Sequence, residues 1–84
     1  MSPEQAFGRY IRAQRLDRCW TLERLADEVG ISRTFLSQIE LGRRNPTLKV
    51  VASIAFVFGL SVQTILDKSG YLKLLKDSRR GVVK

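Results

Sequence analysis

Histidine is absent from this chain, cysteine occurs once, proline twice, and acidic residues are outnumbered by basic ones. Each shortage removes a class of function. Without histidine and with Cys19 alone, there is no set of imidazole and thiolate ligands for a metal and no thiol or hydroxyl activated by an imidazole. No glycine-rich phosphate loop is present either. The chain is therefore not expected to be an enzyme or to hold a cofactor, a metal or a small-molecule ligand. A single cysteine cannot close an internal disulfide, and the first residues lack the long apolar core of a signal peptide, which together predict a cytoplasmic location. The longest apolar-rich run, "VVASIAFVFGL", is too short to span a bilayer. The basic residues do not form a continuous polar face opposite an apolar one, so a membrane surface is not expected as a partner.

What is present fits one small domain with a modest core: 84 residues, 44% of them hydrophobic. Lys plus Arg number 15 against 8 acids, a formal charge of +7. The distribution is uneven. Residues 1–20 carry four Arg against two acids, residues 21–42 two Arg against four acids, and residues 43–84 nine basic residues against two acids. Positive charge thus flanks a more acidic centre, a pattern that favours an anionic partner such as nucleic acid.

Local signals predict an all-α chain. Pro3 behind Ser2 opens a first helix that runs to about Arg18, with Phe7, Tyr10 and Ile11 at helical spacing. "WTLERLADEVG" gives a second helix capped by Thr21, with Trp20 and Leu25 placed as a hydrophobic staple and Gly30 as terminator. Ser32 caps a third, anchored by Leu36 and Ile39 and stopped at Gly42. After "RRNP", Thr47 caps a fourth helix from about Leu48 to Phe58, and Ser61 caps a short fifth, "VQTIL". "GYLKLLK" has the pattern for one or two turns of a sixth helix, and "DSRRGVVK" is expected to fray. The resulting division is a helix-turn-helix domain over residues 1–68 and a C-terminal extension over residues 69–84.

The third helix, in "GISRTFLSQIELGRRNPT", is unusual in its polar choices. A solvated helix ordinarily exposes Glu and Lys. Here the residues off the apolar face are Arg33, Thr34, Ser37 and Gln38, types that hydrogen-bond to base edges: Arg to guanine, Gln to adenine, Ser or Thr to either. Two capped helices joined by a glycine turn within about twenty residues form the layout of a helix-turn-helix.

The stretch "TLERLADEVGISRTFLSQIELGRRNPTL", followed by "GLSVQTIL", resembles the lambda-repressor-like domains of the Cro and C1 type. Thr21, Leu25-Ala26, Gly30, Ser32, Ile39-Glu40, Gly42 and Asn45-Pro46 carry that likeness, and "RTFLSQIELGRRNPTL" looks most like the controller proteins of restriction-modification systems. The resemblance implies a compact five-helix domain whose third helix enters the major groove of double-stranded DNA. Base contacts are then expected from Arg33, Thr34 and Gln38, with Ser37 beside them. Backbone contacts are expected from Thr21 and the N-terminal amides of the second helix, and from Arg43, Arg44 and Asn45. Arg15 and Glu40 match an ion pair that ties the first helix to the end of the third. Positions around the second helix depart from the family: Leu22 replaces a glutamine that often grips the DNA backbone, and Cys19 stands where a glycine usually ends the first helix.

One short helix reads few base pairs, so useful specificity calls for two copies. The fourth helix offers a surface. Leu48, Val51, Ala52, Ala55 and Phe58 are read as its core face, and Val50, Ile54 and Val57 as a second apolar face, with Phe56 where relatives tend to carry a charge. The expectation is a homodimeric, sequence-specific transcriptional regulator on a pseudo-palindromic operator, of controller or phage-repressor type. The rival is a protein-interaction adaptor or antitoxin that uses the same fold, with DNA binding secondary.

Overall fold

The protein is described here by a computed structural model covering residues 1–80. Within them lie α1 (Pro3–Asp17), α2 (Leu22–Val29), α3 (Arg33–Glu40), α4 (Leu48–Phe58), α5 (Val62–Lys68) and α6 (Tyr71–Arg80), with no strand among the described residues. The expected caps are in place. Ser2 accepts from the Gln5 amide in a reciprocal capping box. Thr21, Ser32, Thr47 and Ser61 accept from Arg24, Phe35, Val50 and Thr64 at 3.0, 3.0, 3.2 and 3.0 Å. Each such bond satisfies an amide that the helix itself leaves without a partner, and contributes about 1 kcal/mol.

The end of α1 is the one place among the described residues where a side chain occupies left-handed backbone: Cys19 has φ 58. The Cys19 amide donates to Leu16 O and the Trp20 amide to Arg15 O, the paired bonds of a Schellman turn. The thiol therefore stands at a glycine position, as its place in the family pattern implies, and a small side chain is what the turn accommodates.

Among the described residues, six large side chains are essentially sealed from solvent: Ile11, Leu25, Leu36, Ile39, Ile54 and Ile65, one or two from each of α1 to α5. Burying each contributes about 1.5–3 kcal/mol before entropy is charged against it. Packing of α1 on α3 is so close that Gly8 is compulsory: a Cβ there would lie 2.5 Å from the Glu40 carbonyl oxygen and nearer still to that of Ile39.

Helix α4 is rotated from the face expected for it. Ile54, Ala55 and Phe58 are buried, whereas Leu48 is 80% exposed and Ala52 also faces outward. Ile54 thus belongs to the core rather than to a second apolar face. The C-terminal segment also differs from expectation, because α6 continues through Asp77 to Arg80 instead of fraying after one or two turns; residues 81–84 lie outside the described residues. It docks on α1 and α5, with Tyr71 edge-on to Phe7 at a centroid distance of 6.2 Å. Apolar burial against α1 supplies the stabilisation that this basic helix would lack in isolation.

Candidate nucleic-acid interface

The turn between α2 and α3 sets the position of everything on α3. Gly30 adopts φ 85, and the amides of Gly30 and Ile31 both donate to Ala26 O, at 2.8 and 3.0 Å. The chain reverses at once, and Ser32 starts α3. Leu36 and Ile39 then anchor one side of α3 in the core, leaving Arg33 and Thr34 exposed and Ser37 and Gln38 half-buried. These four side chains converge with Leu22 around one shallow hollow of about 200 Å³. The four residues singled out from sequence thus form a single polar surface, and the departure at Leu22 sits at its edge.

Glu40 fixes the far end of α3. Its carboxylate accepts two parallel bonds from Arg15, Nε to Oε2 at 2.8 Å and Nη2 to Oε1 at 3.0 Å. Arg15 Nη1 donates to Trp20 O at 2.9 Å. Both residues are buried, 8% and 7% exposed, and no buried side-chain polar atom lacks a partner among the described residues. Hydrogen bonding to Glu40 pushes the Arg15 guanidinium above its ordinary range, with charge attraction to Glu40 adding to that and burial opposing it. One guanidinium therefore ties together α1, the turn after it and α3.

A larger hollow, about 670 Å³, adjoins the hollow on α3 through Leu22 and Ser37 and is bordered on the α1 side by Arg9 and Arg12. Both arginines are exposed. Sequence reasoning missed them, although the signal was present: Arg9, Arg12 and Arg15 follow each other at helical i, i+3 spacing, so the pair that locks Arg15 inward brings the other two to the same side. Arg18 was missed too, and it is structural. Its Nη2 donates to Phe58 O at 2.9 Å and its guanidinium lies 4.4 Å from the Phe58 ring centroid, a cation at the negative end of α4.

On the other side of α3, Arg43, Arg44 and Asn45 are exposed in the link to α4. The Arg44 guanidinium lies 5.2 Å from the centroid of Phe35, which is itself half-buried against the core, so Phe35 supports an arginine as well as packing. Thr21 is exposed at the start of α2 while its hydroxyl caps the Arg24 amide. One ion pair spans the two helices at this surface: Arg33 Nη1 lies 3.9 Å from Glu23 Oε2.

Of the residues proposed from sequence for a dimer contact, Phe56 is 87% exposed, Val50 and Val57 are half-buried, and Ile54 is unavailable because it is fully enclosed. Phe56 and Val57 border a hollow of about 320 Å³ that Glu28 and Val29 of α2 complete with Lys49, Ala52 and Ser53. No single described helix is long and apolar enough to cross a membrane.

Comparison with known proteins agrees with this geometry. The profile of a helix-turn-helix family matches residues 11–65. An HTH-type transcriptional regulator of Mycobacterium tuberculosis is 33% identical over 66 residues, 79% of this chain and 47% of that protein, so the chain spans about half the length of this relative. The control protein C.BamHI of Bacillus amyloliquefaciens is 36% identical over 62 residues, 73% of this chain and 76% of that protein. Among solved structures, the clp gene regulator ClgR of Corynebacterium glutamicum superposes with a TM-score of 0.78 at 30% identity, covering 83% of this chain and 90% of that one. With the caps, the turn at Gly30 and the match over residues 11–65 in agreement, this chain belongs to the Cro/C1-type helix-turn-helix family of DNA-binding transcriptional regulators.

Proposed function

We propose that the chain binds double-stranded DNA sequence-specifically as a homodimer and so regulates transcription in the cytoplasm, with one α3 in each of two successive major grooves about 34 Å apart on a pseudo-palindromic site. The observation that carries this reading is the convergence of Arg33, Thr34, Ser37 and Gln38 around one shallow hollow, the first two exposed and the other two half-buried. In this reading those four side chains contact base edges. Thr21, Arg43, Arg44 and Asn45 contact the backbone on the flanks, joined by Arg9 and Arg12 from α1. Such contacts fix register without reading sequence. Phe56, with Val57 bordering the same hollow and Val50 two turns away on the face of Val57, supplies the contact between copies. The likeness to C.BamHI, whose name describes a control protein, supports a controller role.

Binding titrations on a selected site and on a scrambled duplex, at several salt concentrations, test the assignment. Arg33→Ala should lose the arginine's share of discrimination, about 1–3 kcal/mol, or roughly 5- to 150-fold. Arg43→Ala should weaken both duplexes alike and lower the salt slope by about one. Unchanged preference in Arg33→Ala removes that residue from the reading set. The exposed Phe56 also suits a protein partner of a different kind. Failure of the chain to bind any selected duplex would favour that adaptor reading.

A further inference from the structure

We propose that Glu23 is a specificity-determining positioning residue, which directs Arg33 toward a base edge and away from the phosphate backbone; this rests on the assignment of Arg33 as a base reader. Arg33 occupies the first turn of α3, where no acid is present and where the positive end of the helix dipole disfavours a cation. The compensating charge comes from another helix. Glu23, in the first turn of α2, places Oε2 3.9 Å from Arg33 Nη1. The side chains are 73% and 66% exposed, so the pair does little for folding. Its consequence is for where the guanidinium rests.

Glu23 immediately follows Leu22, which lines the same hollow as Arg33. An unattended arginine at the edge of this surface would be drawn to the nearest phosphate, a contact that carries no sequence information. The Glu23 carboxylate, 3.9 Å from one end of the fork, attracts the guanidinium without a hydrogen bond and disfavours a phosphate beside Arg33 itself, while Thr21 at the N-cap stays free for the backbone. The N–H groups are left to face the groove, where guanine O6 and N7 accept two of them. The arrangement lowers general affinity and raises selectivity, as expected when discrimination comes from a repulsive element as well as an attractive one.

The experiment compares the full chain with Glu23→Gln, Arg33→Ala and the double variant, by selection from randomised duplexes and then titration at one salt concentration. Glu23→Gln should bind an unrelated duplex more tightly than the parent does. Its preference at the base pair read by Arg33 should fall by about tenfold, part of the range expected for a bidentate arginine. The double variant should show no loss of preference at that pair beyond Arg33→Ala. Urea unfolding should coincide for all four proteins. Preference unchanged in Glu23→Gln but collapsed in Arg33→Ala overturns the inference and spares the base reader. A loss at a different base pair also overturns it, since Glu23 would then itself accept from a cytosine amino group. Preference unchanged in Arg33→Ala removes the base reader, and the inference falls with it.

Discussion

Replacing Glu40 with leucine isolates the contribution of the clamp that holds α3. The substitution removes the acceptor of two of the three hydrogen bonds made by Arg15 and leaves only the bond to Trp20 O at 2.9 Å. An uncompensated buried charge costs about 3–5 kcal/mol. Arg15 and Glu40 also border the hollow beside α1, so water can reach the stranded guanidinium, and the lower end of that range, about 3 kcal/mol, is expected. A domain of this length has roughly 4–13 kcal/mol of stability in all, and each lost kcal/mol lowers Tm by about 4–8 °C. Glu40→Leu should therefore unfold roughly 12–24 °C below the parent, measured by circular dichroism and by the fluorescence of Trp20. Arg15→Met combined with Glu40→Leu should recover most of the loss, because an apolar pair leaves no charge unsolvated. Because the folded-state pKa of Arg15 is raised, its share of the stability is fully present below the ordinary arginine value and is lost only at more alkaline pH still. The arginine should therefore contribute no pH dependence between about pH 6 and 9. A loss under about 1 kcal/mol for Glu40→Leu would place the pair with exposed salt bridges and refute its role as the clamp.

Phe56→Glu should yield monomers by sedimentation velocity, with the helical spectrum unchanged because the side chain is 87% exposed; a persistent dimer would move the contact elsewhere. Gly8→Ala should destabilise by about 1–3 kcal/mol in urea titration, since the new methyl group meets the carbonyls of Ile39 and Glu40. Cys19→Gly should stabilise by about 1 kcal/mol, because it relieves a side chain held at φ 58; a loss of stability would mean that the thiol contributes packing its exposure does not show.

Legibility in the sequence followed the locality of the physics. Caps and stops are decided within three or four residues, so Thr21, Ser32, Thr47, Gly30 and Gly59 were readable one at a time, and the structure places each at a helix end. The polar side of α3 was readable because Leu36 and Ile39 mark the inward side and leave Arg33, Thr34, Ser37 and Gln38 by exclusion. Arg9, Arg12 and Arg18 were not singled out as site or packing residues. Their surroundings depend on how α1 crosses α3 and α4, and no local rule contains that crossing. Their spacing alone shows a basic side of a helix without showing what that side adjoins.

The misread face of α4 has a more instructive cause. In "LKVVASIAFVF" every residue except Lys49 and Ser53 is apolar, so a search for apolar periodicity finds several acceptable faces. The two polar residues, four apart, should have decided it: they mark a single side, and at 100° per residue the opposite side is Val51, Ile54, Ala55 and Phe58. Three of those four are the buried residues observed, and Val51 is half-buried beside them. The same geometry places Ala52 and Phe56 among the polar pair on the solvent side. An aromatic ring there is not explained by the core, since the core lies on the other side of the helix. The rotation that withdraws Ile54 from the proposed contact therefore strengthens the case for Phe56, which with Leu48 at the start of the helix is one of two large apolar side chains that α4 leaves exposed, the one flanked by the polar pair, and the residue on which the dimer proposal depends.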